Sequence, residues 1–109
     1  MTDKRVDSTR LQHLARAFTQ SAVFYSAIDL ELFTHVSAGA DDIASIAAAT
    51  GMSELNAERL VTVALAMGLV EYATVGGERR IVNAADCDKC LVKGTDRYAG
   101  AWINFTRPE

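Results

Sequence analysis

The sequence predicts a mainly α fold, a winged helix-turn-helix with a small β-hairpin wing and further helices on its N-terminal side. Three observations carry this: a helix, glycine, helix pattern between Asp41 and Val70, a double glycine at Gly76-Gly77, and a long apolar-periodic stretch ahead of both. At 109 residues and 11.8 kDa the chain is the size of one domain, and its 50% hydrophobic content with a mean hydropathy of +0.07 is enough to build a core.

Taken in order, residues 1–7 are polar and are expected to fray. From Ser8, a candidate cap, Leu11, Leu14, Ala15, Phe18, Ala22 and Tyr25 recur on one helical stripe, and Phe24, Ala27, Ile28 and Leu32 form a second. Residues 8–36 therefore read as one long or kinked helical stretch with apolar surface on more than one side. Such a wide apolar arc needs cover. Either residues 41–70 of the same chain supply it or a second chain does, and the limited size of the domain favours the second chain.

Ser37 to Ala40 is a small-residue linker, and the winged unit spans residues 37–92. A helix is expected to begin between Gly39 and Asp41, with Asp41 and Asp42 favoured at its positive end, and Ile43, Ile46, Ala47 and Thr50 at helical spacing. Gly51 should stop it, since a residue past a helix end commonly takes the left-handed conformation. Ser53 is placed to cap the next helix, whose inward face reads Ala57, Leu60, Val61, Ala64 and Leu65, with Gly68 at its end. Leu69–Thr74 and Arg79–Val82 then read as strands joined by the two glycines, which tolerate the positive φ of a two-residue hairpin turn. Asn83 is the expected cap of a short helix from Ala84 to Val92. Residues 93–109 follow as a connection, with Tyr98, Trp102 and Phe105 suggesting one more helix and Thr106-Arg107-Pro108-Glu109 giving no sign of a domain finishing.

Composition narrows function. Eleven basic residues against fourteen acidic ones give a net charge of −3, whereas a nucleic-acid module needs basic surface to displace counterions from phosphate. No apolar run approaches the ~18 residues of a membrane span, and MTDKRVDSTR lacks the apolar segment of a secretory signal, so a cytoplasmic protein is expected. Cys87 and Cys90 make a lone C-x-x-C, too few soft ligands for a closed zinc site, with His13 and His35 at no ligand spacing to them. Cys90 reads as a small core residue and Cys87 as a partly exposed thiol. The expected metal set is therefore empty. So is the catalytic set, because neither histidine has a nucleophile or acid partner at a working spacing, and Asp41-Asp42 and Asp86-x-Asp88 read as solvated helix-start acids.

Several short motifs, in order, carry a resemblance. Phe18 to Phe33 (FTQSAVFYSAIDLELF), then Asp42-Ile43-Ala44, Ala49-Thr50-Gly51, Glu58-Arg59-Leu60, Ala66-Met67-Gly68-Leu69-Val70 and Cys90-Leu91-Val92 resemble the N-terminal dimerisation domain of small-molecule, S-adenosylmethionine-dependent O-methyltransferases of the caffeate, hydroxyneurosporene and polyketide-tailoring type. The likeness runs from about Leu11 to Trp102. Glu31 departs from the glycine usual before the Leu-Phe pair, and Ile81 or Val82 stands where the wing often has an aromatic.

The resemblance implies a homodimer interlocked through the N-terminal helices, with Leu11, Leu14, Phe18 and Tyr25 at the contact and Phe24 and Tyr25 as candidate lining of a small-molecule pocket. It places the S-adenosylmethionine and the catalytic base in a separate Rossmann-like domain. The seven glycines here form no G-x-G-x-x-G, so no cofactor-binding residue is expected in this segment. A small-molecule substrate is then expected only with the catalytic domain.

The competing reading is a DNA-binding transcriptional regulator. With the apolar face of the second helix turned inward, its outward arc carries Leu55, Arg59, Thr62, Val63 and Ala66 with Glu58 at the flank, one basic residue where a groove-reading helix needs several donors. Arg79 and Arg80 of the wing are the remaining candidate phosphate contacts. The dimerisation reading is preferred, with no nucleic-acid and no membrane partner expected.

Overall fold

A computed structural model describes residues 6–107 of the chain. Within them the order is α1 (Thr9–Asp29), α2 (Leu32–Ser37), α3 (Ile43–Thr50), α4 (Glu54–Ala66), β1 (Val70–Val75), β2 (Glu78–Asn83), α5 (Ala85–Cys90) and α6 (Gly100–Phe105). This is the mainly α winged helix-turn-helix expected. The frayed start and the last two residues of the anticipated open end lie mostly outside the described residues.

The N-terminal stretch resolves as two helices. The break falls at Leu30 and Glu31, and Glu31 takes the left-handed conformation (φ 55°, ψ 36°), as no other non-glycine among the described residues does. That conformation costs roughly 1–2 kcal/mol for a residue with a Cβ. It turns the chain so that Leu32, Phe33 and Val36 of α2 enter the core beside Ala27 and Ile28 at the end of α1.

The helix-turn-helix closes on its caps. α3 starts two residues later than expected because the Asp42 carboxylate accepts from the Ser45 N–H at 2.8 Å. Gly51 ends it at φ 76°, and the Ser53 hydroxyl accepts from the Asn56 N–H at 3.1 Å to start α4. Ala57, Leu60, Val61 and Ala64 are buried as the helical spacing requires, with Leu65 at the edge. In the wing, β1 and β2 pair antiparallel from Val70↔Asn83 to Val75↔Glu78, and Gly76 and Gly77 both take positive φ (60° and 82°) in the turn. The Ile81 N–H donates to the Asp41 carbonyl at 2.9 Å, and the Arg80 guanidinium lies 3.4 Å from Asp41 and 3.5 Å from Asp42. The wing is thereby tied to the start of α3.

Four local expectations are corrected. Ser8 sits at the start of α1 without capping it by its side chain; the Asp7 carboxylate accepts from the Thr9 N–H at 3.0 Å, and the Ser8 hydroxyl accepts instead from the Gln12 side chain. Asn83 is the last residue of β2, and α5 begins after Ala84 with no side-chain cap. The Asn83 amide donates across the core to the Phe33 carbonyl at 2.8 Å and to the Asp88 carboxylate at 3.1 Å, a tertiary choice that spacing cannot reveal. The helix expected to reach Val92 stops at Cys90. The cysteines exchange roles: Cys87 is buried and Cys90 half-buried, because α5 turns its Ala84, Cys87, Leu91 edge to the core.

Candidate dimerisation site

The two apolar stripes of α1 have different fates. Ala27 and Ile28 at its end are buried with Leu32, while every residue from Thr9 to Ala22 is exposed, including Leu11 (58%), Leu14 (61%) and Phe18 (73%). Fourteen residues of helix, about 20 Å at 1.5 Å per residue, project beyond the core. The radius of gyration of 16.5 Å, against about 13 Å for a compact domain of this length, records that projection.

The expected contact residues therefore stand on one helix in two settings. Leu11, Leu14 and Phe18 are more than half exposed. Tyr25, two turns past Phe18, is half-buried beneath the Arg107 guanidinium, 4.7 Å from its ring centroid. Phe24 is also half-buried, its ring 5.9 Å from that of Tyr25, and it lines a shallow, mostly apolar depression of about 240 Å³ with Leu69, Cys87, Cys90, Leu91 and Ile103.

Two polar ties hold the C-terminal segment against this end of α1. Arg107 donates to both Asp29 carboxylate oxygens at 2.9 and 3.0 Å. Lys93 pairs with the Glu31 carboxylate, and its backbone N–H donates to the Thr34 hydroxyl at 3.1 Å. The Lys93 ammonium, as hydrogen-bond donor and neighbouring charge, holds the Glu31 carboxyl below the usual carboxylate range, and Glu31 raises Lys93 in return. On α6, Trp102 and Phe105 stack at 5.9 Å and remain 67% and 81% exposed. The sequence marked α6 but did not join it to α1; Arg107, just past α6, reaches Tyr25 and Asp29, and Ile103 shares the depression with Phe24.

Little else offers chemistry. Among the described residues no group of three or more His, Cys, Asp or Glu side chains could hold a metal. Burial, with the Asp86 carboxylate beside it, pushes the Cys87 thiol up to about 12. Cys90 is therefore the thiol expected to react with a disulfide reagent near neutral pH, Cys87 following only on unfolding, and a thiol titration with and without denaturant checks this. The outward face of α4 exposes Leu55, Glu58, Arg59, Thr62, Val63 and Ala66, as the helical wheel requires. Arg79 lies over the Tyr72 ring at 4.1 Å, and Arg80 is engaged by acids. No described helix is long and apolar enough to cross a membrane.

The class is thus a winged-helix domain carrying a projecting N-terminal helix. The family model of the O-methyltransferase dimerisation domain matches residues 12–93, and the chain belongs to that family. Solved structures share the fold. A protein from Nostoc punctiforme PCC 73102 designated an O-methyltransferase superposes with a TM-score of 0.79 at 22% identity, over 93% of this chain and 29% of its own. Human N-acetylserotonin methyltransferase, solved with S-adenosylmethionine, gives 0.74 at 22% identity, over 97% and 32%. An O-methyltransferase family 2 protein from Planctomyces limnophilus DSM 3776, in complex with apigenin, gives 0.77 at 19%, over 95% and 31%. The chain spans about three-tenths of the length of these proteins. No curated protein matches it by sequence.

Proposed function

We propose that this domain pairs with a second copy of itself through Leu11, Leu14, Phe18 and Tyr25, as the dimerisation part of an S-adenosylmethionine-dependent, small-molecule O-methyltransferase of the cytoplasm. The observation that carries the reading is the projecting half of α1, whose three large apolar side chains are more than half exposed in a chain that buries its other apolar stripe. Each such side chain withdrawn from water contributes roughly 1.5–3 kcal/mol, offset in part by the costs of association.

Methyl transfer is assigned to a catalytic domain of the kind the longer relatives contain, with the methyl donor bound there. Phe24 and Tyr25 are proposed as pocket lining, supported by the half-buried position of both rings beside an apolar depression. The described segment is expected to bind neither S-adenosylmethionine nor duplex DNA. Its glycines make no phosphate-cradling turn, and the outward face of α4 offers a single basic residue.

Light scattering tests the pairing. Wild type is expected at twice 11.8 kDa at micromolar concentration, and Leu14→Glu/Phe18→Glu at or near the monomer mass. A wild-type mass near 11.8 kDa at every concentration sinks the proposal.

A further inference from the structure

Burial does little to hold α6. Its only buried residue is Gly100, which has no side chain, and of its larger apolar residues Ile103 is half-buried while Trp102 and Phe105 face solvent. By contrast α2, a helix of the same length, buries Leu32, Phe33 and Val36. What fixes α6 lies at its two ends. At the near end the Ala99 N–H donates to the Cys90 carbonyl at 2.7 Å, and the Tyr98 ring folds over Gly100 so closely that a Cβ there would have no room. At the far end Arg107 donates to both oxygens of Asp29 and lies over the Tyr25 ring.

We propose that α6 is a strap over the apolar depression, hinged where Ala99 meets Gly100 and latched by Arg107 on Asp29 and Tyr25. The two ends differ in kind. The near end is a backbone bond to the end of α5, whereas the latch joins side chains that keep 38% and 51% of their surface in water. Ion pairs and cation–ring contacts at such solvated sites are individually weak, so the far end is the one that lets go. Ile103 then leaves its place beside Phe24 and Cys90, and the depression becomes a groove along Phe24, Leu69 and Leu91. At about 240 Å³ the closed depression is smaller than the ~300–1,000 Å³ of a ligand site, and withdrawing Ile103 enlarges it. The strap needs no second copy of the chain; what it admits, a small apolar molecule, rests on the pocket lining proposed for Phe24.

Amide exchange followed by NMR tests the latch, in Leu14→Glu/Phe18→Glu so that pairing of copies does not enter. A helix of this length freed from the core does not persist in water, so release is read as exchange of the Ile103 and Thr106 amides together. Adding Arg107→Gln is expected to speed both by roughly three- to tenfold, with the amides of α4 unchanged. Raising salt to about 1 M is expected to speed them less, and to do little once Arg107 is replaced. The Cys90 thiol, which shares the depression with Ile103, is expected to react faster with a disulfide reagent in Arg107→Gln. Simple fraying predicts instead a gradient, with Thr106 fast and Ile103 unmoved by loss of the latch, and that result overturns the strap. So do α6 amides as slow as those of α4, and so does an unchanged Cys90 rate, which would mean that release leaves the depression closed. No ligand enters these measurements, so their failure leaves the pocket reading of Phe24 intact.

Discussion

The two halves of α1 are the same helix with opposite surroundings. From Val23 to Asp29 the helix lies on the core, with Ala27 and Ile28 buried among side chains of the winged unit; from Thr9 to Ala22 every residue is exposed. Yet Leu11, Leu14 and Phe18 are as apolar as the residues that became core. Periodicity reports that a face will be covered, and by itself it does not say by which molecule. The anchored half decides where the free half is held, because a helix is cooperative and extends outward from a packed end.

The largest test of that contrast removes the anchor. Ile28→Ala deletes buried methylene groups from the core, and an unfolding free energy lower by about 2–5 kcal/mol is expected in urea denaturation. Phe18→Ala, measured at a dilution where wild type is monomeric, is expected to change stability by no more than about 0.5 kcal/mol, since an exposed side chain leaves no cavity behind. A loss as large as that at Ile28 would show that the free half packs on its own domain after all.

A smaller effect probes the joint between α1 and α2. Glu31→Gly and Glu31→Ala both delete the carboxylate that pairs with Lys93, but only glycine suits φ 55° without a Cβ clash. The glycine variant is therefore expected to melt several degrees above the alanine variant. Equal melting temperatures would mean that the joint relaxes out of the left-handed conformation.

The smallest expected effects are electrostatic. The Glu31 carboxyl is lowered by Lys93, and that of Asp42 chiefly by the Ser45 N–H. A carboxylate depressed in the folded state contributes stability that is fully present above its unfolded pKa and is lost as pH falls through the folded one. The raised Lys93 contributes below its unfolded pKa and fades as pH rises through the folded value. Both groups of the Glu31 pair are solvated, so salt should flatten its share of the profile, whereas the Asp42 share should persist because its partner is a backbone N–H. Melting curves from pH 2 to 7 at low and high salt, on wild type and Lys93→Met, separate the two. A salt-sensitive acid limb that survives in Lys93→Met would count against this assignment.

By itself the sequence determined the elements whose causes are local. Gly51 had to end α3 and Gly76-Gly77 had to turn the hairpin because only a residue without Cβ takes positive φ freely, and Ser53 could cap α4 from its own position. The inward face of α4 followed from spacing alone. Tertiary structure decided what depends on a partner far along the chain. Asn83 left the capping role for the Phe33 carbonyl fifty residues away, and α5 rolled to bury Cys87 in place of Cys90. Glu31 accepted a glycine's conformation where Lys93 pairs with its carboxylate, and Arg107 joined α6 to Tyr25 and Asp29. A backbone turn is fixed by the few residues that make it, whereas these contacts exist only once the core has brought their distant partners together.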